Sequence, residues 1–379
     1  MTSPHFIPYG RQTIDEDDIA AVVDVLRSDW LTTGPAVERF EADICAYTGA
    51  KYGVAVSSGT AALHAAMFAL GIGKGDEVIV TPMTFAATAN CILYQGGTPV
   101  FADVEPDTLL IDPAAVEAAI TPRTKAIIGV DYAGQPCDWD ALRAIADRYH
   151  LALVDDACHA LGAVYKGRNV GTLADITVFS FHPVKHITTG EGGMAVTDDA
   201  ALAERMRRFR GHGITTTASQ REKTGAWFYE MTDLGYNYRI SDFQCALGSA
   251  QLQKLDGWLD RRREIAHIYD MNFSNKNTIQ PLKCHSDVKH AYHLYVVRIG
   301  GRDTVFKQLR NNQIGVNVHY VPVHLHPYYR YRLGTKEDLC PISESIYKSI
   351  LTLPICPRMS AEDICCVIKH ISTYTIAGV

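Results

Sequence analysis

Apolar residues in this chain fall into two alternating spacings. Over residues 15–27, DEDDIAAVVDVLR, the residues Ile19, Val22, Val23 and Leu26 recur at helical intervals behind Asp15, with Asp18 three positions on. That spacing predicts a capped helix. The turn-rich loop Trp30-Leu-Thr-Thr-Gly-Pro35 follows. Short apolar runs at 52–56, 77–80, 99–102, 126–130, 151–154, 176–181 and 193–196 then predict strands. Helical stretches at 61–70, 85–94, 113–120 and 139–149 lie between them. Strands alternating with helices predict an α/β fold with a mostly parallel sheet covered on both faces. Ligands of such sheets sit beyond the carboxyl ends of the strands.

The texture changes near residue 250. A charged helix at Leu255–Phe273 leads to an apolar run at 291–299, which predicts a strand. Helical residues at 304–312, a second apolar run at 316–323 and a helical tail at 360–373 follow. A chain of 379 residues suits two domains. The expected division is residues 1–250 as an N-terminal arm and large domain, and residues 251–379 as a smaller α/β domain.

Composition removes several functions. Hydrophobic residues make up 47% of the chain and charged residues 21%, which excludes a mainly disordered protein. The net charge is −6 and no run of Lys and Arg reaches five, so nucleic acid and anionic membranes are not the expected partners. No apolar stretch is long enough to span a bilayer, and the first ten residues lack the basic and apolar regions of a secretory leader. The ten cysteines are scattered, with no CxxC pair, as expected in a reducing cytoplasm.

Three segments carry chemistry. Val154-Asp-Asp-Ala-Cys-His159 closes a strand, Ser180-Phe-His-Pro-Val-Lys185 follows another, and Ser57-Ser-Gly-Thr-Ala61 forms a strand-to-helix turn. An acid, a lysine and a helix start ready for phosphate are what pyridoxal 5′-phosphate (PLP) needs. The lysine bonds the aldehyde, the acid keeps the pyridine nitrogen protonated, and the helix N-terminus offers free N–H groups. Ser180 can add a donor to the phosphate, and His159 and Phe85 can cover the ring.

These residues, with Leu31-Thr-Thr-Gly34, Thr81-Pro-Met-Thr-Phe85, Arg210-Gly-His-Gly213 and Gly235-Tyr-Asn-Tyr-Arg239, make the sequence similar to the DegT/StrS family of sugar-nucleotide aminotransferases. The resemblance runs over nearly the whole chain. It implies a fold type I, aspartate aminotransferase-like PLP enzyme with Lys185 as the catalytic lysine. It further implies Asp156 at the pyridine nitrogen, His159 and Phe85 flanking the ring, and Thr60, Ala61 and Ser180 at the phosphate. Family members are homodimers with shared sites, in which the residue matching Asn237 reaches the partner's phosphate. Arg239 is carried over as a substrate ligand.

Within the family, Asp131-Tyr-Ala-Gly134, the Lys185 segment and Val318-His-Tyr-Val-Pro322 resemble the transaminases of pseudaminic acid biosynthesis. That likeness implies amination of C4 of UDP-2-acetamido-2,6-dideoxy-β-L-arabino-hex-4-ulose by L-glutamate, with His319 and Tyr320 near the sugar. Transaminases of other dTDP- or GDP-linked keto sugars, and a non-catalytic sensor on the same fold, are the alternatives. An intact Lys185 disfavours both the sensor and the family's dehydratases, in which histidine replaces the lysine. Two rival chemistries are weaker. His319, His324 and His326 lack acidic or cysteine partners nearby in sequence for a metal, and none is expected. Cys158 and His159 would point to opposite faces of an extended strand, poor geometry for a nucleophile and its base.

Overall fold

The computed structural model describes residues 5–216 and 218–376. Seven strands build the main sheet: β1 (Tyr52–Val56), β2 (Glu77–Val80), β3 (Thr98–Phe101), β4 (Thr124–Val130), β5 (Ala152–Asp156), β6 (Ile176–Ser180) and β7 (Gly193–Thr197). Their order is β1-β7-β6-β5-β4-β2-β3. β7 runs antiparallel to both neighbours, and every other pairing is parallel. The sheet is therefore mostly parallel, as the alternation predicts.

Both faces are buried. Leu153, Ile127 and Phe179 belong to one apolar cluster, while their chain neighbours Val154, Ile128 and Val178 belong to the other. That division follows from the two-residue period of a strand. On the second face lies helix α3 (Gly59–Ala69), which is buried on nearly every side.

Helix α1 (Glu16–Leu26) forms as predicted, with a reciprocal capping box between Asp15 and Asp18. Helix α2 (Pro35–Thr48) is absent from the sequence reading. Its cap comes from far along the chain: the N–H groups of Gly34 and Ala36 donate to Asp242, at 2.8 and 3.0 Å. Helix α4 (Ala87–Tyr94) begins just past Phe85.

A second, antiparallel sheet joins Ile279–Pro281, Tyr295–Ile299 and Ile350–Leu353. Its cluster includes residues of the helices Leu255–Phe273 and Ala361–Ile376, and also Ile7 from the N-terminal arm. The arm is tied there by a hydrogen bond from Ile7 N–H to Gln313 O, 2.9 Å.

Two predicted runs need correction. Residues 291–294 are not strand, because the N–H groups of Ala291 and Leu294 donate to Gly134 and Ala133 beside the main sheet. Residues 316–323 are irregular apart from one bridge, Asn317 to Thr352. Pro322 has no N–H to give, and the N–H of Val323 donates to Pro82. His324 and His326 consequently sit at a turn and not on one face of a strand.

Candidate active site

The carboxyl ends of β1, β4, β5 and β6 meet at one rim. Val56 and Ser180 both pair with Gly193, and Val130 pairs with Asp156. A cavity of about 540 Å³ opens above them. The sequence places eight of its candidates in that wall: Thr60, Phe85, Asp156, His159, Ser180, Lys185, His319 and Tyr320.

Asp156 ends β5 and is buried. Its Oδ2 accepts from Thr88 Oγ1 at 2.7 Å, and its Oδ1 from the Cys158 N–H at 3.2 Å. Thr88 is a residue the sequence reading missed. It sits on α4 four positions after Thr84, and the two hydroxyls are 2.8 Å apart. Thr84 precedes the first turn of α4, so no helical spacing in the sequence marks the pair.

Lys185 is the only lysine or arginine among the described residues lining the cavity. Burial pushes its ammonium below the ordinary lysine range, while Cys158 and Asp156 pull the other way. His159 is driven well below the usual histidine range by burial, so its ring is neutral. Its Nε2 lies 3.0 Å from Tyr320 Oη, and its Nδ1 is buried without a partner. Phe85 is 61% exposed at the cavity mouth, with its ring centre 6.2 Å from that of Tyr320.

The start of α3 faces Ser180. A Cβ on Gly59 would come within 2.9 Å of the Ser180 Cβ, so the glycine keeps this space open. Ser58 caps α3 by accepting the Ala61 N–H at 3.1 Å. Ala61 is buried behind the wall and does not line the cavity, and Asn237 and Arg239 are exposed away from it.

The donor set fits PLP. One lysine, one acid held by two donors, an open helix start beside a serine, and an unpartnered buried ring nitrogen converge on one space. The Cys158 thiol is pushed well up by burial, with Asp156 adding to the rise, which leaves it unsuited to nucleophilic work. Among the described residues, no group of three His, Cys, Asp or Glu is arranged to hold a metal. His324 instead meets Glu344 at 2.8 Å.

The profile of the DegT/DnrJ/EryC1/StrS aminotransferase family matches residues 12–372. The chain belongs to that family. The spore coat polysaccharide biosynthesis protein SpsC of Bacillus subtilis is 44% identical over 375 residues, covering 97% of this chain and 96% of SpsC. Among solved structures, Spr1654 of Streptococcus pneumoniae in its PMP form has TM-score 0.94 and 34% identity, covering 98% and 100% of the two chains. A PLP form of the same protein has TM-score 0.93 and 33% identity, covering 99% of this chain and 100% of its own. PseC of Helicobacter pylori, an aminotransferase in pseudaminic acid biosynthesis, has TM-score 0.92 and 32% identity, covering 98% and 100%. This DegT/StrS protein is thus a fold type I, PLP-dependent sugar aminotransferase. No helix among its described residues is long and apolar enough to cross a membrane.

Proposed function

We propose that the enzyme moves the amino group of L-glutamate to C4 of UDP-2-acetamido-2,6-dideoxy-β-L-arabino-hex-4-ulose. The product would be UDP-4-amino-4,6-dideoxy-N-acetyl-β-L-altrosamine, made in the cytoplasm by a homodimer with shared sites. One observation carries the reading: Lys185, the one cavity lysine among the described residues, lies within electrostatic reach of a two-donor aspartate, in a chain similar to PseC over nearly its full length.

When bound, PLP supplies an aldehyde that exchanges amines and a ring that draws electrons from the carbon losing a proton. Lys185 Nζ would hold the aldehyde. Displaced from it, Nζ is the base of the site, and burial favours the neutral form that accepts a proton. Asp156 would hold the proton on the pyridine nitrogen, with Thr88 fixing the carboxylate's orientation. Thr60, Ser180 and the N–H groups opening α3 would hold the phosphate, with Ala61 contributing as part of the first turn of that helix. His159 and Phe85 would flank the ring, and His319 and Tyr320 would meet the sugar.

Asn237 would reach the partner's phosphate, and Arg239 would bind the substrate. Their exposure supports this, as does the preceding apolar stretch, where Trp227 and Leu234 are 84% and 78% exposed. The large domain would end near residue 250, with residues 251–379 as the small one. Ten free cysteines support a reducing cytoplasm.

The higher identity to SpsC favours a second reading, a different nucleotide-linked keto sugar destined for a coat polysaccharide. Incubating the enzyme with glutamate and a panel of UDP- and dTDP-4-ketohexoses, and identifying the aminated product by NMR, decides between them. Amination of the UDP-β-L-arabino-hex-4-ulose at C4 is the expected result. Amination of a different sugar alone would move the assignment to the second reading.

A further inference from the structure

Behind Asp156 lie two more acids with no solvent exposure, Asp131 and Asp155. Asp131 follows β4, and its N–H donates to the carbonyl of Asp156 at 3.2 Å. Asp155 precedes Asp156 on β5, so its side chain projects from the opposite face of the sheet. Asp131 Oδ1 accepts from the Cys137 N–H at 2.8 Å and from the Trp139 ring N–H at 3.1 Å. Asp155 Oδ2 lies 3.5 Å from the Thr177 hydroxyl. The two remaining oxygens, Asp131 Oδ2 and Asp155 Oδ1, receive no N–H or hydroxyl. Asp155 pairs with Gly129, two residues before Asp131, so both carboxyl groups leave the same face of the sheet, and each has one buried oxygen without a partner.

One proton shared between these two oxygens would give each the partner it lacks. Without one, two buried like charges would face each other with nothing to offset them. The other groups around the pair are the thiols of Cys137 and Cys158, the Trp139 indole, the Thr177 hydroxyl and Asp156, none of them cationic.

We propose that Asp131 and Asp155 share one proton and serve as a positioning pair for Asp156. The shared proton ties the end of β5 to the turn after β4, and the Asp131 N–H ties that turn back to the Asp156 carbonyl. Asp156 is held from both sides, and only one charge is added behind it. The proposal rests on the role given to Asp156 above.

The test is the infrared spectrum of the holoenzyme at neutral pH. The wild type should show a protonated carboxyl C=O band that is lost in Asp155→Asn and in Asp131→Asn but kept in Asp156→Asn. No such band in the wild type, or one that survives Asp155→Asn, overturns the shared proton. Positioning is read from kinetics. Asp155→Leu should lower kcat by about tenfold with KM for glutamate little changed, the scale of loss seen when the support of a working ligand is removed. Asp155→Asn should recover most of that rate, because its amide can donate to Asp131 where the proton was. Equal losses in both variants overturn the positioning role. If Asp156→Asn instead kept full kcat, the role of Asp156 itself would fall while the infrared result stood.

Discussion

Thr88 Oγ1 donates to Asp156 Oδ2 at 2.7 Å, and the hydroxyl of Thr84 lies 2.8 Å behind it. Both threonines are buried, so the chain of hydroxyls has no water to replace it. A hydrogen bond to a charged group contributes about 1.5–3 kcal/mol. Thr88→Val keeps the shape and removes the donor. It should lower kcat by roughly ten- to a hundredfold, converting that energy at 1.36 kcal/mol per decade. It should also loosen PLP, measured by cofactor loss on dialysis. A variant with wild-type kcat and cofactor retention would separate Thr88 from the site.

Lys185 is expected to be the one amine the reaction depends on. Lys185→Ala should abolish multiple turnover while leaving the fold intact, since no hydrogen bond of its Nζ holds the wall together among the described residues. Borohydride should fix the cofactor to residue 185 in the wild type and nowhere in the variant, as peptide mapping would reveal. Continued turnover in Lys185→Ala would end the assignment.

Shared sites make a mixed-subunit prediction. Lys185→Ala and Asn237→Ala homodimers should both be weak or inactive. Unfolded and refolded together, they would form mixed dimers in which one site has both native residues. With random pairing, about a quarter of wild-type activity should return, because half the dimers are mixed and each has one good site. No recovery, with mixed dimers detected by mass, would place Asn237 in its own subunit's affairs.

Local signals were legible where local physics decides. β1 and β2 and the helices Trp139–Tyr149 and Leu255–Phe273 have the bounds that spacing gives. Helix α2 was not legible, because Gly34 brings no capping side chain and Asp242 supplies it from more than 200 residues away. A Cβ on Gly34 would strike that same carboxylate and also the Trp30 side chain four residues earlier. In the site, Lys185 and Asp156 stand out by their neighbours in sequence. Thr88 does not, since a threonine in an apolar helix looks like ordinary packing until Asp156 is placed opposite it. In the apolar run 316–323 the one local warning against a strand is Pro322, and the partners of the run's N–H groups, such as Pro82 for Val323, are set by the tertiary fold.

Stability should fall in mild acid, and histidines decide the direction. His64, His159, His186, His290, His293 and His319 are all buried. Desolvation holds His64 and His319 down at about 4 and His290 at about 3, and the other three well below the ordinary value. In the unfolded chain each would titrate near 6.5. Between about pH 6.5 and 4 the unfolded state therefore binds more protons than the folded state. Stability is fully present above that window and is lost as pH falls through it. Each unmatched proton contributes about 1.4 kcal/mol per pH unit. Asp131 acts in the opposite sense, because burial pushes its carboxyl up to about 7 and the folded state keeps that proton. Asp155 and Asp270 are pushed up by burial as well, and three such acids against six histidines leave the histidines ahead. The urea midpoint of the holoenzyme should drop steeply from pH 7 to pH 5. His290→Asn, which removes one of the six from an acceptor site for the Tyr292 N–H, should flatten the slope by about one proton. A midpoint that stays level over that range would mean that these rings are already charged, or already wet, in the folded enzyme.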